Sequence, residues 1–122
     1  MRALLLILLA CPVVLGQSTT LYVSFGNKYL QSCKGFVDAD VKATDEVQTF
    51  QFAYCAGFTE GVWQMLLASD SQHKVCVPEA VETVQIARVI TKWIKDYPEQ
   101  AHELTVILAE RALTHAFPCT KK

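Results

Sequence analysis

The sequence contains little glycine, little proline and no concentration of positive charge. With only 5 Gly and 4 Pro among 122 residues, long helices are easier to build than many short strands and turns. Lys and Arg total 11 against 12 Asp and Glu, and no basic run occurs, which argues against a nucleic-acid partner. Apolar residues make up 52% of the chain and charged residues 19%, which argues against disorder. These proportions predict a small, well-packed and mostly helical protein.

An apolar segment at the start of the chain is typical of a secretory leader. A short positive end precedes an uninterrupted apolar run over residues 3–10, and residues 14–16 fit a cleavage site. The run is shorter than the ~20 residues that a membrane-spanning helix needs. The sequence therefore predicts a signal peptide over residues 1–16 and one domain over residues 17–122, exported without a membrane span. Removing the leader leaves 10 basic residues against 12 acidic ones, a net charge of −2.

Five cysteines are present, and one of them lies in the predicted leader. Cys11 is lost with the leader unless it carries a lipid that tethers the domain, an alternative that a leader of only ten residues disfavours. The remaining Cys33, Cys55, Cys76 and Cys119 form an even set, which in a small exported chain predicts two disulfides. Zinc is the alternative, but no C-x-x-C pair occurs and the gaps of 22, 21 and 43 residues match no compact ligand pattern. No metal or other cofactor is expected.

Apolar periodicity and capping signals predict four helices. They are expected over residues 25–34, 45–69, 78–95 and 99–116. The first has Ser24 as its N-cap and Gly35 just past its end, and the second opens with a capping box of Asp45 and Gln48. Each of the last two opens with a proline followed by a glutamate, residue types suited to a first helical turn. The expected fold class is all-α, a small bundle of about four main helices held by two disulfides.

The second helix carries apolar residues on two sides. The first stripe, at spacings of three and four residues, consists of Phe50, Tyr54, Gly57, Gly61, Met65 and Ala68. The second stripe consists of Cys55, Val62 and Leu66. Each interior glycine costs a helix roughly 1 kcal/mol relative to alanine, so close approach of another backbone is expected there. Because the flanking residues are aromatic core types, a tight internal crossing is favoured over a binding groove, with this helix in the middle of the bundle.

Chain geometry discriminates among the three possible disulfide pairings. Cys55 lies about 21 Å before the end of the second helix, and Cys76 follows that end by only seven residues. Pairing these two therefore needs a taut, returning chain. Helices three and four have a short connection and are expected to form an antiparallel hairpin, which brings Cys76 near Cys119. The predicted bridges are Cys33–Cys55 and Cys76–Cys119, each stabilising the fold by roughly 2–4 kcal/mol.

No catalytic constellation is present in the sequence. If all four cysteines of the mature chain are bridged, no thiolate remains to act with His102 or His115. A G-x-S-x-G turn, a phosphate-binding glycine loop and an H-E-x-x-H helix are absent. Glu60 is a lone acid within an apolar run, and one carboxylate does not make an acid–base pair. The sequence therefore predicts a protein that is not an enzyme.

Two neighbouring segments are candidates for partner binding. The polar turn over residues 70–74 is a natural protrusion, and such loops often carry function. On the third helix Val81 and Val84 project to the same side as Arg88, and apolar groups on a charged face often mark an interface. The alternative is that the first helix, or the loop before the second, covers these valines. The candidate contact residues are Asp70, Ser71, Gln72, His73, Lys74, Val81, Val84 and Arg88.

Several short motifs, in order along the chain, resemble one known family. They are GNKYL (26–30) before Cys33, FAYCAGF (52–58) before Gly61, VCVP (75–78), YPE (97–99) and AFPC (116–119). Their order and spacing resemble the Tai-type immunity proteins of bacterial type VI secretion, whose best-known members neutralise peptidoglycan amidase effectors. The resemblance covers residues 26–119, nearly the whole of the predicted mature chain.

The resemblance implies a periplasmic, all-helical inhibitor, commonly a homodimer, that occludes the cleft of a cysteine amidase and protects the wall of the producing cell. Most matching positions are interpreted as helix-packing and disulfide positions, so they carry the fold better than the target. An alternative from another class is a small disulfide-bonded periplasmic stress chaperone, which needs apolar surface revealed by acid. A saposin-like lipid-binding module is disfavoured because six cysteines are expected of it.

Overall fold

The computed structural model describes residues 25–38, 42–69 and 75–120. In these ranges the chain forms four helices and one turn of 3-10 helix, so the predicted all-α bundle is confirmed. The helices are α1 (Gly26–Val37), α2 (Glu46–Ala68), α3 (Thr83–Asp96) and α4 (Thr105–Ala116), and the 3-10 turn spans Pro98–Gln100. The predicted signal peptide with Cys11, the proposed cap Ser24 and the turn over residues 70–74 lie outside the described residues.

The central helix of the bundle is α3. It packs extensively against α1, α2 and α4, whereas α1 and α2 each make only slight contact with α4. Its buried side includes Ile86, Ile90 and Ile94, which recur every four residues and are at most 2% exposed. The prediction that the second helix lies in the middle is therefore wrong, because α2 packs against the bundle through one side only, where Cys55 and Leu66 are buried.

Two predicted helix boundaries are wrong. Gly35, expected past the end of the first helix, lies inside α1, which continues to Val37. The third helix begins at Thr83 rather than at Pro78. The residues after Pro78 instead form a turn, in which the amide of Val81 donates to the Pro78 carbonyl at 3.1 Å. A proline suits such a turn as well as it suits a first helical turn, so the local sequence does not decide between them.

The start of α2 follows the predicted capping pattern. The amide of Gln48 donates to Oδ1 of Asp45 at 2.9 Å, so Asp45 is the N-cap as expected. The side chain of Gln48 reaches back and accepts from the amide of Thr44 at 3.0 Å. The capping signal therefore located the start of this helix correctly.

The non-helical segment before α4 provides hydrogen-bond acceptors for the first backbone amides of α1. The predicted helix over residues 99–116 is broken after the 3-10 turn. In the intervening segment the carbonyl of Ala101 accepts from the amide of Asn27 at 2.7 Å, and that of Glu103 accepts from the amide of Gly26 at 3.0 Å. The first amides of a helix have no partners within it, so these bonds satisfy two of them. The break is a contact between distant parts of the chain, which local periodicity does not encode.

The closest glycine contact is at the start of α1. A Cβ at Gly26 would lie 2.5 Å from Cδ1 of Leu108 and 3.1 Å from the carbonyl oxygen of Ala101. At Gly57 and Gly61, by contrast, an added Cβ would meet no atom within 4 Å. The predicted internal crossing at these two glycines is therefore wrong, because none of the four described helices lies over that side of α2.

Both predicted disulfides are present. Cys33–Cys55 joins α1 to α2 with Cα atoms 5.4 Å apart. Cys76–Cys119 joins the segment before α3 to the segment after α4 with Cα atoms 4.9 Å apart. Beside this second bridge the amide of Cys76 donates to the carbonyl of Phe117 at 2.8 Å. The bundle thus consists of two helix pairs, each closed by one disulfide.

One polar pair lies within the core between α1 and α2. The hydroxyl groups of Tyr29 and Thr59 are hydrogen-bonded at 2.7 Å, and both residues are fully buried. Burial raises the pKa of Tyr29 to about 12, against a smaller lowering by its bond to Thr59. The phenol is therefore neutral over the whole physiological range, and the pair fixes the register of α1 on α2.

Candidate functional site

The helix α2 has two apolar faces, and the bundle covers one of them. The inner face consists of Cys55, Thr59, Val62 and Leu66, each at most 5% exposed. The outer face, on the opposite side of the helix, consists of Val47, Phe50, Ala53, Tyr54, Gly57, Gly61, Gln64, Met65 and Ala68. Of these, Tyr54 is half-buried and the others are exposed. An apolar helix face left open to solvent is the signature of a surface that binds something.

Large side chains of the outer face are open to solvent. Phe50 is 69% exposed, Val47 67% and Met65 46%. The rings of Phe50 and Tyr54 stack, with centroids 6.0 Å apart and planes 12° from parallel. Single exposed apolar residues are ordinary, but these share one face of one helix, which makes them a contiguous candidate interface.

The two glycines lie at the centre of the outer face. Neither has a positive φ, so no special backbone conformation requires glycine at Gly57 or Gly61. Each costs the helix roughly 1 kcal/mol relative to alanine. A Cβ added at either glycine would meet no described atom within 4 Å apart from its own stretch of helix, so that cost is not offset by packing inside the bundle.

A shallow groove of about 520 Å³ adjoins the N-terminal end of the outer face. It is lined by Ala43, Thr44, Asp45, Glu46, Thr49, Phe50 and Ala53. Its polar wall is the capping structure of α2, and its apolar wall is the Phe50 ring with Ala53. The groove extends the outer face beyond the helix surface itself.

Glu60 borders the outer face and links α2 to the start of α3. One carboxylate oxygen accepts from the side-chain amide of Gln64 and the other from the hydroxyl of Thr83, each at 2.8 Å. The bond from Gln64 and then the bond from Thr83 lower the pKa of Glu60. A lowered pKa makes the carboxylate a weaker base, so this acid serves as a hydrogen-bond acceptor between helices.

The predicted contact residues of α3 are partly covered. Val81, in the turn before α3, is half-buried and packs against the core, and Val84 is also half-buried. Arg88 is exposed, and its Nε donates to the carbonyl of Val37 at the end of α1 at 2.8 Å. The structure thus places Arg88 beside the end of α1, and Arg88 is the most accessible of the three. The other five, residues 70–74, lie outside the described residues.

Reactive side chains do not converge in the described ranges. The four cysteines there are all in disulfides. No group of three His, Cys, Asp or Glu side chains in residues 25–38, 42–69 and 75–120 is placed to hold a metal ion. The ring of His115 lies against Trp93, with centroids 5.4 Å apart. None of the helices described is both long enough and apolar enough to cross a membrane.

Comparison with known families decides the class of protein. The model of the Rap1a immunity proteins matches residues 25–119. The chain belongs to the Rap1a immunity protein family. The match begins just before α1 and ends at the last cysteine, so it spans the four helices and both disulfides. A search of curated proteins gives no significant match.

Membership of the Rap1a family implies immunity against a secreted effector. The immunity-protein character expected from the motifs is thereby confirmed. The matched region is nearly the one over which the motifs resemble a known family, residues 26–119. Many of the positions that carry the resemblance are buried, such as Tyr29, Cys33 and Cys55. Such positions define how the helices pack and do not name the effector.

From the sequence, a binding groove at Gly57 and Gly61 was the alternative to an internal crossing, and the crossing was favoured. The helical periodicity, the two glycines and the aromatic residues beside them led to that choice. The same pattern fits a helix covered by its own chain and a helix covered by another molecule. Only the placement of the other helices separates the two cases.

Proposed function

We propose that this Rap1a-family protein acts in the periplasm, where it binds and inhibits a peptidoglycan amidase effector of type VI secretion. The observation that carries the proposal is the family match over the whole helical bundle, residues 25–119. Two disulfides fit an oxidising compartment, and the leader predicted over residues 1–16 provides the route of export. In this role the protein covers its target and catalyses no reaction of its own, and it is further proposed to be a homodimer.

The proposed effector-binding surface is the turn over residues 70–74 with Val81, Val84 and Arg88. Arginine has five N–H donors, and the bond from Nε of Arg88 to the carbonyl of Val37 leaves the terminal nitrogens to face a partner. A guanidinium held in this way is suited to paired hydrogen bonds with a carboxylate of the effector. The half-buried valines supply apolar contact beside it.

The test is inhibition of an amidase encoded beside this gene. Purified, oxidised protein is mixed with the amidase, and cleavage of peptidoglycan and protection of growth are measured. We expect stoichiometric inhibition, and a lack of inhibition of every candidate amidase from the same genome would overturn the proposal. Arg88→Ala is expected to weaken inhibition about tenfold or more, as for a buried charged contact. Lys28→Ala, at an exposed position near the other end of α1, is the matched control.

One observation favours a second candidate function, that of a stress chaperone. The outer face of α2 offers exposed apolar surface, with Phe50 at 69% and Val47 at 67% exposure, and a holdase needs such surface. Light scattering of an aggregating client protein at low pH separates the two functions. Suppression of aggregation without amidase inhibition would support the chaperone.

A further inference from the structure

The charged side chains of the described residues are divided unequally between the helices. Together α1 and α3 carry five basic residues and one acidic residue, namely Lys28, Lys34, Arg88, Lys92 and Lys95 with Asp96. All other described residues together supply two basic and nine acidic side chains. The one acid of the pair, Asp96, is bound to Lys92 and leaves the other cations uncompensated. A chain with a small net negative charge therefore has one distinctly basic pair of helices.

A groove of about 530 Å³ lies between these two helices. They run antiparallel, because a Cβ at Gly26 would lie 3.4 Å from Cγ2 of Ile94, whereas the other end of α1 accepts a hydrogen bond from Arg88. Lys34 borders the groove on α1 and Lys95 borders it on α3. Both lysines are exposed, and neither makes an ion pair with another described residue. The groove thus has a cation on each wall that the described chain does not neutralise.

The groove is continuous with the surface proposed above for the effector. Val37 lines it at the end of α1, and the carbonyl of Val37 accepts from Nε of Arg88 at 2.8 Å. Arg88 therefore lies where the groove meets that surface and adds a third cation. Asp38 follows Val37 directly and is the single acid among the residues that line the groove. The balance of charge along the groove remains positive.

Hydrogen-bonding groups in the groove suit a peptide. The side chains of Asn27 and Gln31 line it and are exposed, and each amide group has both donors and an acceptor. Thr91 lies deeper, at 4% exposure, and its hydroxyl donates to the carbonyl of Arg88 at 3.0 Å. A hydroxyl has one hydrogen, so Thr91 offers a bound molecule an acceptor only. The N–H groups of a peptide match such an acceptor, whereas phosphate oxygens do not donate.

We propose that the groove between α1 and α3 binds an acidic peptide segment of the effector, whose carboxylates pair with Lys34 and Lys95. The inference rests on the proposed function, to which it adds the chemistry of the partner surface. From Asn27 to Val37 the groove follows α1 for about 15 Å, the length of about five residues of extended chain. A cleft lined by one sign of charge attracts an oppositely charged segment and accelerates encounter. The two lysines therefore act mainly on the rate of association.

The test variant replaces both lysines, Lys34→Gln with Lys95→Gln. Each lies in the last turn of its helix, where a cation is favourable, so glutamine is chosen because glutamate would add an unfavourable charge there. The matched control, Lys28→Gln with Lys42→Gln, removes the same charge at exposed positions that do not line the groove. Lys34→Arg with Lys95→Arg keeps the charge and is the conservative variant. Thermal unfolding of all the proteins checks that they are comparably folded.

The first measurement is the rate at which the oxidised protein associates with the amidase that it inhibits. We expect the glutamine pair in the groove to slow association about tenfold at low ionic strength, and the arginine pair and the control to associate nearly as the wild-type chain does. The difference should shrink at high ionic strength, because salt screens exposed charges. Equal rates for the wild-type chain and the groove variant, or an equal loss in the control, would overturn the inference and leave the proposed function standing.

A second measurement does not need the amidase. Backbone amide shifts of the isotope-labelled protein are followed by NMR as a hexaglutamate peptide is added, with hexaserine as the neutral comparison. We expect shifts at groove residues such as Gln31 and Thr91 with hexaglutamate only, and their loss in the groove variant. Such shifts in a protein that inhibits no amidase would support the groove and overturn only the proposed function.

Two outcomes of the second measurement count against the groove. Hexaglutamate that leaves Gln31 and Thr91 unshifted would overturn the inference. So would cosedimentation with phosphatidylglycerol vesicles that depends on Lys34 and Lys95 in the absence of any shift with the peptide, which would assign the groove to a membrane surface.

Discussion

The inner and outer faces of α2 are both apolar, yet one is buried and the other is open. Leu66 on the inner face is 2% exposed, whereas its chain neighbour Met65 on the outer face is 46% exposed. α1 and α3 pack on the inner face, and no part of the described chain reaches the glycines of the outer face. Apolar periodicity therefore identifies which residues share a helix face. Whether that face is buried depends on distant parts of the chain or on another molecule.

The largest expected change in stability is that of Leu66→Ala on the inner face, compared with Met65→Ala on the outer face. Leu66→Ala removes a buried side chain and should lower the free energy of unfolding by about 3 kcal/mol. Met65→Ala should change it by less than about 0.5 kcal/mol when the protein is dilute enough to be monomeric. Urea unfolding of the oxidised protein measures both values. Similar losses for the two variants would mean that a single copy covers both faces.

A second contrast concerns glycine to alanine substitution. Gly26→Ala should destabilise the fold by about 1–3 kcal/mol, because the added Cβ would meet Leu108 and a carbonyl oxygen of Ala101. Gly57→Ala should instead stabilise the dilute monomer by about 0.5–1 kcal/mol, since alanine is the better helix former and space is open there. Chemical denaturation compares the two. Destabilisation by Gly57→Ala in the monomer would contradict the open outer face.

The buried hydroxyl pair behind the inner face gives a pH-dependent prediction. Tyr29→Phe leaves the hydroxyl of Thr59 buried without its partner and should cost about 1 kcal/mol at neutral pH. Burial raises the pKa of Tyr29 to about 12 from 10.0, so the folded state holds its proton more tightly than the unfolded chain. Stability from this source is therefore complete below about pH 10 and falls as the pH rises towards 12.

The phenylalanine variant lacks this titration, so its stability deficit should shrink above about pH 10. Thermal unfolding of both proteins between neutral pH and pH 11 measures the difference. The remaining tyrosines are common to both chains and cancel in the comparison. A deficit that stays constant up to pH 11 would show that the phenol of Tyr29 is not buried as described.

The smallest expected effect is at the edge between the two faces. Glu60→Gln weakens the acceptor for Gln64 and Thr83 and should lower the unfolding midpoint at pH 7 by about one degree. The pKa of Glu60 is lowered in the folded state, so the stability it contributes is present above the usual carboxyl pKa and is lost as the pH falls through the lowered one. The difference between the proteins should therefore vanish in acid. Glu79→Gln, in the exposed turn before α3, controls for the change in net charge.

The parts of the fold that the sequence predicted are those fixed by local rules or by chain length. Asp45 caps α2 because a side-chain acceptor at that position satisfies a helix amide. The pairing of Cys33 with Cys55 followed because helix rise excluded Cys55 with Cys76, and the short connection of helices three and four placed Cys76 near Cys119. The first conclusion needed no knowledge of tertiary packing, and the second needed only that two helices with a short connection lie antiparallel.

The parts that could not be predicted depend on contacts between distant residues. The break before α4 exists because the carbonyls of Ala101 and Glu103 accept from the first amides of α1, which are far away in the chain. The glycines of α2 were assigned to an internal crossing for the same reason, since helix spacing does not tell which side faces the bundle. The suggested effector surface centred on Arg88 remains a prediction.

The two disulfides divide the covalent structure into two rings. Cys33–Cys55 closes a ring through α1 and the start of α2, and Cys76–Cys119 closes another through α3 and α4. The backbone between Cys55 and Cys76 joins the rings. A protease cut inside either ring leaves one cross-linked species in denaturant, whereas a cut between the rings releases two fragments without any reductant. A nicked molecule of the second kind would depend on non-covalent packing alone to keep its halves together.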